Sequence, residues 1–407
     1  MTTDDVLRVF TPEFKADAHA RYAELRKQGP IHRVQTHTGL PTWLVVGYEL
    51  AREALVHPLL GKDSTPADEA LRDAGYTVNR PGVGLGGNML TADPPHHTRL
   101  RKLVAAAFTP RRMEALRPRV QEITDGLLDA VAEDGRADLV PAFTTPLPVT
   151  VISELLGVPE GQRGNFTTWT QHALGNPPEK QAEGALNLNR FLSELLADKH
   201  RSPGDDLLSA LVAVRDEDDG RLSDTELLGT AVLLVVAGHD TTANLLADGI
   251  LALLRHPDQA RLLRERPDLL PAAIEEVLRY DAPVEYTPLR WAAEDFELGG
   301  SRISKGDGVH IALTAVGRDG DEDADRFDVT RADGRHLSFG HGIHHCLGAP
   351  LARLEGVVAL GTLLRRFPDL ELTVPAEELP WVPAGITHGP AALPVRFSPE
   401  PPAPAGS

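Results

Sequence analysis

Hydrophobic residues recur mainly with the period of an amphipathic helix. Apolar positions three and four residues apart predict helices over 110–134, 182–200, 224–255, 271–280 and 350–366. Alternating apolar and polar positions are confined to short segments and predict strands at 31–35, 42–46, 309–312 and 393–397. Strands and helices do not alternate regularly, and no G-x-G-x-x-G joins a strand to a helix, which argues against a dinucleotide-binding fold. The pattern therefore predicts a mainly α protein with small β-sheets.

Breaks in the pattern indicate one domain followed by a tail. A Gly/Pro-rich stretch at 81–87 is typical of a loop, and no internal repeat interrupts the chain. Residues 398–407 are rich in Pro and Ala, a composition typical of a disordered terminus. We therefore expect a single domain over 1–397 and a disordered tail after it.

Charge and cysteine content narrow the function classes. The 407 residues include 41 Lys and Arg against 59 Asp and Glu, and the net charge of −18 argues against a general nucleic-acid binder. The single cysteine excludes an internal disulfide. The N-terminus lacks the apolar segment of a signal peptide, and the longest strongly apolar stretch, 227–238, is shorter than the ~20 residues of a membrane span. These features predict a cytoplasmic protein that is not bound to a membrane.

The segment 339–348, F-G-H-G-I-H-H-C-L-G, is the most informative. Its glycines permit a tight turn, and the predicted helix that follows places Cys346 just before a helix N-terminus. Backbone N–H groups there favour a thiolate, which is what an iron-binding cysteine needs. A buried structural cysteine is one alternative. A zinc site of His341, His344, His345 and Cys346 is another, although four ligands within six residues would not easily surround one ion.

The predicted helix 224–255 contains a polar interruption. It begins with the capping box S-D-T-E at 223–226 and would extend ~48 Å at 1.5 Å per residue. In its middle, the sequence A-G-H-D-T-T at 237–242 weakens a helix. The hydroxyls could simply bond to the preceding turn and kink the helix. Alternatively, this segment, which places the acid Asp240 beside the alcohol Thr241, has a functional role.

Together these segments resemble the cytochrome P-450 superfamily. Its haem loop F-G-x-G-x-H-x-C-x-G matches 339–348, and its A-G-x-[D/E]-T-[T/S] motif matches 237–242. The E-x-x-R motif matches 276–279, and D-P-P-x-H-T-x-x-R matches 93–101. The resemblance extends from about 12 to 397 and implies the family's fold, a helix-rich prism with a long central helix over the haem. It departs at 315–319, A-V-G-R-D, where many members have A-N-R-D-P.

The resemblance implies haem b with Cys346 as the iron ligand. It implies that Asp240 relays protons and that Thr241 holds dioxygen and its water during O–O cleavage. Glu276, Arg279 and Arg331 would form a structural cluster, although a Glu and an Arg three residues apart are also typical of an ordinary surface ion pair. The remaining haem contacts implied by the motifs are His97, Arg101, Ala237, Gly238, Arg290, Phe339, Gly340, His344 and Gly348.

The implied activity is that of a soluble monooxygenase. It would insert one oxygen atom of O2 into a lipophilic small molecule, by hydroxylation or epoxidation. The substrate classes expected from the resemblance are macrolides, other polyketides and terpenoids. Positions expected to contact the substrate are mostly apolar: Leu85, Met89, Leu90, Leu233, Val236, Val284, Glu285, Thr287, Ile386 and Thr387. Glu285 could hold a cationic group such as an amino sugar, or it could face solvent.

Other activities within and outside the family stay open. The same haem could support oxidative ring coupling or desaturation. A peroxide-driven enzyme and a non-catalytic haem sensor or carrier are further alternatives, and the presence of both Asp240 and Thr241 argues against these two.

The resemblance also implies separate electron donors, because the chain has no flavin or iron–sulfur motif. Electrons would come from a ferredoxin and its NAD(P)H-dependent reductase. A local docking face for an acidic ferredoxin is predicted from Arg99, Lys102, Arg111, Arg112 and Arg353. Scattered solvated charges are the alternative interpretation of these residues. We expect the protein to be a monomer.

Overall fold

The computed structural model divides the chain into two compact units. It describes residues 7–15, 17–75, 87–105, 108–173, 178–216, 222–320, 323–382 and 385–399. The first unit comprises 1–76, 117–147 and 241–407, and the second comprises 77–116 and 148–240. The single domain expected over 1–397 stays a prediction. The tail expected over 398–407 lies outside the described residues from position 400 onward.

Helices dominate the described chain, which confirms the mainly α class. The α-helices are α1 (Pro12–Lys15), α2 (Ala18–Gln28), α3 (Tyr48–Val56), α4 (Asp68–Asp73), α5 (His96–Ala105), α6 (Pro110–Ala115), α7 (Arg117–Ala132), α8 (Pro146–Leu155), α9 (Arg163–Ala173), α10 (Gln181–Arg201), α11 (Leu207–Asp216), α12 (Asp224–Arg255), α13 (Pro257–Glu265), α14 (Leu270–Tyr280), α15 (Leu313–Gly317) and α16 (Ala349–Arg366).

The strands are short and lie in the first unit. They are β1 (Ile31–Gln35), β2 (Pro41–Val45), β3 (Leu60–Gly61), β4 (Arg136–Asp138), β5 (Arg290–Ala292), β6 (Phe296–Leu298), β7 (Ser301–Ile303), β8 (Gly308–Ile311), β9 (Glu371–Leu372) and β10 (Pro394–Arg396). They form a five-stranded sheet in the order β1-β2-β8-β5-β3, a three-stranded sheet β4-β10-β9 and the hairpin β6-β7. In the largest sheet β2 and β8 run parallel, and the other pairs are antiparallel.

One predicted helix is divided in two. The periodic segment 110–134 forms α6 and α7, with a turn at Leu116 between them. Pro118 lies in the first turn of α7. Proline has no N–H to donate to the preceding turn, so it is tolerated at the start of a new helix but not within a continuous one. The apolar periodicity continues through the break, which is why it predicted a single helix.

Two apolar clusters form the core of the first unit. One lies against the five-stranded sheet and includes Val45, Leu55, Val309 and Ile311. The other cluster packs α1 and α2 against β2 and the segment that follows α14, through Phe14, Tyr22, Leu44 and Tyr286. In the second unit, α10 packs on α9 and α11. Each unit thus buries the apolar faces that the sequence pattern predicts.

The long helix α12 is apolar enough and long enough to cross a membrane by composition alone. However, 72% of its apolar window is buried inside the protein, as in the core helix of a soluble protein. It is the one helix of the described residues that passes this test. The apolar stretch 227–238 is therefore part of a longer helix of 32 residues, and burial rather than length accounts for its composition.

Helix α16 carries a buried carboxyl group, Glu355. The residue is 2% exposed, and its Oε2 atom has no hydrogen-bond partner among the described residues. Burial raises the pKa of Glu355 to about 8, because the charged form loses its hydration. A pKa raised on folding stabilises the protein at low pH, and this contribution is lost as pH rises from the ordinary value of about 4.5 towards 8.

We therefore expect Glu355→Gln to gain stability relative to wild type as pH rises from 5 to 9. The gain should amount to roughly 3 kcal/mol, because the amide never ionises. Unfolding measured by urea at several pH values tests this. Glu265→Gln, at an exposed position on α13, is the control and should follow wild type. If the difference in unfolding free energy between Glu355→Gln and wild type does not change with pH, folding does not raise the pKa of Glu355, and the prediction is wrong.

Candidate active site

The loop before α16 presents the only cysteine at the protein surface. Cys346 is exposed, and its N–H donates to the carbonyl of Phe339 at 2.7 Å, which closes the loop. Gly340 and Gly342 have φ values of 73° and 74°, in the left-handed region that favours glycine. A Cβ at Gly342 would also lie 2.7 Å from Val56 Cγ1. The loop therefore needs both glycines to hold the thiol where α16 begins.

One cation, Arg353, interacts electrostatically with this thiol. The Arg353 guanidinium lies 4.5 Å from the centre of the Phe339 ring and pairs with both Glu275 oxygens at 2.6 and 2.8 Å. The pKa of Arg353 is raised by the hydrogen bond to Glu275, by its charge and by Cys346. Burial would raise the pKa of Glu275, but hydrogen bonds from Arg353 and His336 lower it to about 2. Arg353 and the N-terminus of α16 together favour the thiolate form of Cys346.

The polar interruption in α12 does not break the helix. The helix continues from Asp224 to Arg255 through all of 237–242. Burial is what changes there: Ala237 is exposed, whereas Val235 and His239 on either side of it are buried. Gly238, Asp240 and Thr241 are partly exposed. The motif therefore marks an accessible window in a mostly buried helix, rather than the helix break that its composition suggests.

The basic residues expected at the haem are placed as follows. In the second unit, His97 on α5 is 2% exposed and Arg101, one turn later, is partly buried. In the first unit, Arg290 on β5 is 5% exposed and donates to the Leu60 carbonyl at 3.2 Å. His344 in the cysteine loop is partly buried. Buried cationic side chains need anionic or hydrogen-bonding partners, so these residues suit a ligand that carries carboxylates.

The structure brings Glu276, Arg279 and Arg331 together in the first unit. Arg279 Nε lies 2.6 Å from Glu276 Oε2, and its second nitrogen lies 2.8 Å from Oε1. Arg331 Nε is 3.3 Å from Oε2. Both members of the Glu276–Arg279 pair are buried. This is a bidentate buried pair, not the exposed ion pair that its spacing alone would suggest.

The segment 315–319, where the sequence departs from the family pattern, contacts this cluster. It forms the end of α15, and Arg279 donates to the Gly317 carbonyl at 2.9 Å. A Cβ at position 317 would lie 2.1 Å from the Arg279 carbonyl oxygen. Glycine is therefore required by close approach of two backbones, a constraint that the sequence did not reveal.

The expected substrate contacts differ in how accessible they are. Leu85 lies outside the described residues. In the second unit Met89 and Leu233 are buried, and Leu90 and Val236 are partly exposed.

The other expected contacts lie in the first unit. Val284 and Thr387 are partly exposed and face each other in an antiparallel bridge. Ile386 is partly exposed, and its carbonyl accepts the N–H of residue 285 at 2.8 Å. Thr287 is buried, and its hydroxyl accepts the N–H of Ile311 at 3.1 Å. The bridge therefore holds the C-terminal turn against the segment that follows α14.

Glu285 requires a correction. We expected it either to bind a cationic substrate group or to face solvent, but its side chain is fully buried. The Tyr22 hydroxyl donates to its Oε1 atom at 2.6 Å, and Lys15 Nζ lies 3.7 Å from Oε2. Its charge is thus balanced by a residue near the N-terminus, which a local sequence motif could not show. Glu285 joins α1 and α2 to the rest of the first unit.

Two of the five cations expected to form the docking face are paired with acidic residues. Arg99 pairs with Glu226 in the second unit, and Arg353 pairs with Glu275 in the first. These two charges are therefore partly neutralised. Lys102, Arg111 and Arg112 are exposed in the second unit.

Comparisons with known proteins agree with this geometry. The family model Cytochrome P450 matches residues 187–381. Cytochrome P450 monooxygenase PikC of Streptomyces venezuelae is 50% identical over 95% of this chain and 92% of its own. The 6-deoxyerythronolide B hydroxylase of Saccharopolyspora erythraea is 45% identical over 94% of this chain and 97% of its own.

The solved structures give the same result. The tirandamycin C-bound P450 monooxygenase TamI matches with a TM-score of 0.88 at 43% identity, covering 96% of this chain and 100% of its own. The predicted fold is therefore confirmed. Similarity at this level over nearly the full length shows that the chain belongs to the cytochrome P450 family of haem enzymes and is a monooxygenase that uses dioxygen.

Proposed function

We propose that this enzyme hydroxylates or epoxidises a lipophilic secondary metabolite of the macrolide, polyketide or terpenoid type in the cytoplasm. The names of two relatives support the polyketide class, since one is a 6-deoxyerythronolide B hydroxylase and another is described with bound tirandamycin C. The apolar character of the accessible candidate contacts, Leu90, Val236, Val284 and Ile386, supports a lipophilic substrate.

The observation that carries the proposed haem-thiolate centre is the Cys346 loop. An exposed thiol at a helix N-terminus, with Arg353 nearby, suits a thiolate ligand to iron. We assign Cys346 as that ligand and the loop residues Phe339, Gly340 and Gly348 as its support. When bound, the haem supplies one-electron redox chemistry and activates dioxygen.

The carboxylates of the haem need cationic partners. We assign His97, Arg101, Arg290 and His344 to them, because these side chains are buried or partly buried and their charges suit carboxylate recognition. We assign Ala237 and Gly238 as further haem contacts. The small, exposed side chain of Ala237 leaves room beside α12, whereas a Cβ at Gly238 would meet Ile152 at 3.3 Å.

Asp240 and Thr241 are assigned to proton delivery. Reduction of one oxygen atom of O2 to water consumes two protons, which must reach a site otherwise closed to water. Asp240 is partly exposed and can exchange protons with solvent. Thr241 directly follows Asp240 and lies one turn after Ala237, so Ala237 and Thr241 share a helix face. In this role the Thr241 hydroxyl holds the water that donates each proton, and Asp240 reprotonates that water.

Replacing Thr241 with Ala should uncouple electron consumption from product formation. We expect product per NAD(P)H to fall roughly tenfold, with hydrogen peroxide accounting for the lost electrons, because proton delivery is no longer directed. Thr241→Ser keeps the hydroxyl and should retain most of the coupling. The assay needs a compound that shifts the haem spin state on binding. Unchanged product per electron in Thr241→Ala would contradict the assigned role.

Electrons are proposed to come from a ferredoxin and its NAD(P)H-dependent reductase. The three cations that stay exposed, Lys102, Arg111 and Arg112, support an acidic partner despite the net charge of −18. Since long-range attraction between opposite charges accelerates encounter, it should weaken as salt rises.

Charge reversal at Arg112 should slow reduction by ferredoxin by at least tenfold at low ionic strength. It should also flatten the salt dependence of the rate, while reduction by dithionite stays unchanged. Stopped-flow reduction under carbon monoxide measures both quantities. Arg261→Glu, an equal charge change at an exposed position on α13, is the matched control. If Arg112→Glu and Arg261→Glu have the same rate and salt dependence, the docking face lies elsewhere.

A further inference from the structure

We propose that His19, Asp281 and His388 form a binding site for a divalent zinc ion, separate from Cys346. The three residues come from distant parts of the first unit. His19 is on α2, Asp281 directly follows α14, and His388 lies in the C-terminal segment. One donor atom from each lies within 4.8 Å of the other two. The proposal goes beyond the oxygenase activity and does not depend on it.

The two separations that involve Asp281 suit a tetrahedral ion. Asp281 Oδ1 lies 3.4 Å from His19 Nε2 and 3.1 Å from His388 Nε2. With metal–ligand bonds of about 2.0–2.1 Å, neighbouring donors in a tetrahedral zinc site are roughly 3.3 Å apart. Asp281 Oδ1 and both ring nitrogens of His388 make no hydrogen bond to any described residue. Asp281 Oδ1 and His388 Nε2 thus lie at an ion-pair distance, which is also the separation of two neighbouring ligands of one cation.

A second buried carboxylate lies near enough to Asp281 for the two charges to interact. Asp248 on α12 is 2% exposed, and neither of its oxygens has a hydrogen-bond partner in the described part of the chain. Burial and the charge of Asp281 raise the pKa of Asp248 well above its ordinary value. A cation bound by Asp281 would also reduce the repulsion between the two carboxylates.

The backbone places Asp248 on the side of α12 that meets the C-terminal segment. Asn244 lies one turn before Asp248, and a Cβ built on Gly389 would be 2.6 Å from Asn244 Oδ1. Since Gly389 follows His388 directly, the helix face that carries Asp248 passes beside the proposed ligands. Asp248 itself is not among the donor atoms that lie within 4.8 Å of one another, so the proposed site has three protein ligands and leaves the fourth position of the ion to water.

Two cationic side chains, Arg318 and Lys15, lie near the proposed zinc ligands and bear on how readily a cation binds there. Arg318 donates to His19 Nε2 at 3.0 Å, and this bond must open when the ion binds. Arg318 would keep its bond to the Tyr280 carbonyl at 2.7 Å and its position 3.6 Å from the Tyr280 ring centre. Lys15 already pairs with Glu285. Glu285 is therefore not needed as a ligand, although its Oε2 atom is 4.0 Å from His388 Nδ1.

The donor types select the metal. Two imidazoles with carboxylate oxygens suit zinc, whereas calcium and magnesium prefer oxygen ligands alone. The His19 side chain is 34% exposed, so an ion can enter from solvent, whereas His388 is 3% exposed. A bound ion would join α2, the end of α14 and the C-terminal segment, and would stabilise the folded first unit.

Zinc retention by the tag-free holoenzyme tests the proposal. The protein is stripped with a chelator and equilibrated by dialysis at about 10 µM free zinc, and zinc is measured per haem iron by mass spectrometry. We expect one zinc per chain and a melting temperature that rises with zinc. His19→Ala is the main variant because its side chain is the most accessible of the three. It should bind at least tenfold more weakly and lose the thermal shift.

His37→Ala removes an exposed histidine from another segment and should behave as wild type. Asp281→Asn provides a second test, because it keeps the side-chain shape while removing the charge, and it too should weaken zinc retention. The proposal is overturned if wild type retains no zinc under these conditions. It is equally overturned if wild type, His19→Ala and His37→Ala retain equal amounts, which would indicate scattered surface binding.

Discussion

The proposed chemistry of this enzyme depends on keeping one thiol exposed at a fixed point of the backbone. The bond from Cys346 N–H to the Phe339 carbonyl closes the loop, and the left-handed glycines at 340 and 342 make that closure possible. The N-terminus of α16 and Arg353 then favour the thiolate. The Arg353–Glu275 pair joins α16 to α14, so the same contact that shapes the electrostatics also fixes the helix behind the loop.

Buried charge is the second organising feature of the first unit. Glu276 and Arg279 form a bidentate pair that holds the backbone of α15 and of residues 324–326. Glu285 and Lys15 form a second buried ion pair, with 3.7 Å between Lys15 Nζ and Glu285 Oε2, and this pair fixes the N-terminal helices. Such pairs contribute little net stability, because desolvation offsets their attraction, but breaking one leaves an unpaired charge in the interior. They therefore act mainly by fixing how distant segments meet.

The sequence predicted the helices whose apolar period is long and unbroken, and α12 matches its predicted bounds of 224–255. Local motifs also placed Cys346 before a helix and Glu276 beside Arg279. What the sequence could not show depends on residues far apart in the chain. Examples are the charge of Glu285 balanced by Lys15, the backbone approach that requires Gly317, and the meeting of His19, Asp281 and His388. No period or spacing encodes such contacts, because the fold alone brings their members together.

The central claim, that Cys346 supplies a thiolate to the haem iron, is tested most directly by the carbon monoxide difference spectrum of the reduced protein. Cys346 is the only cysteine in the chain, so wild type should give the strongly red-shifted Soret band of thiolate-bound iron. Cys346→Ser that still retains haem should lose that band. A haem-replete wild-type protein that gives only a histidine-type band, or a variant that keeps the red shift, would contradict the account.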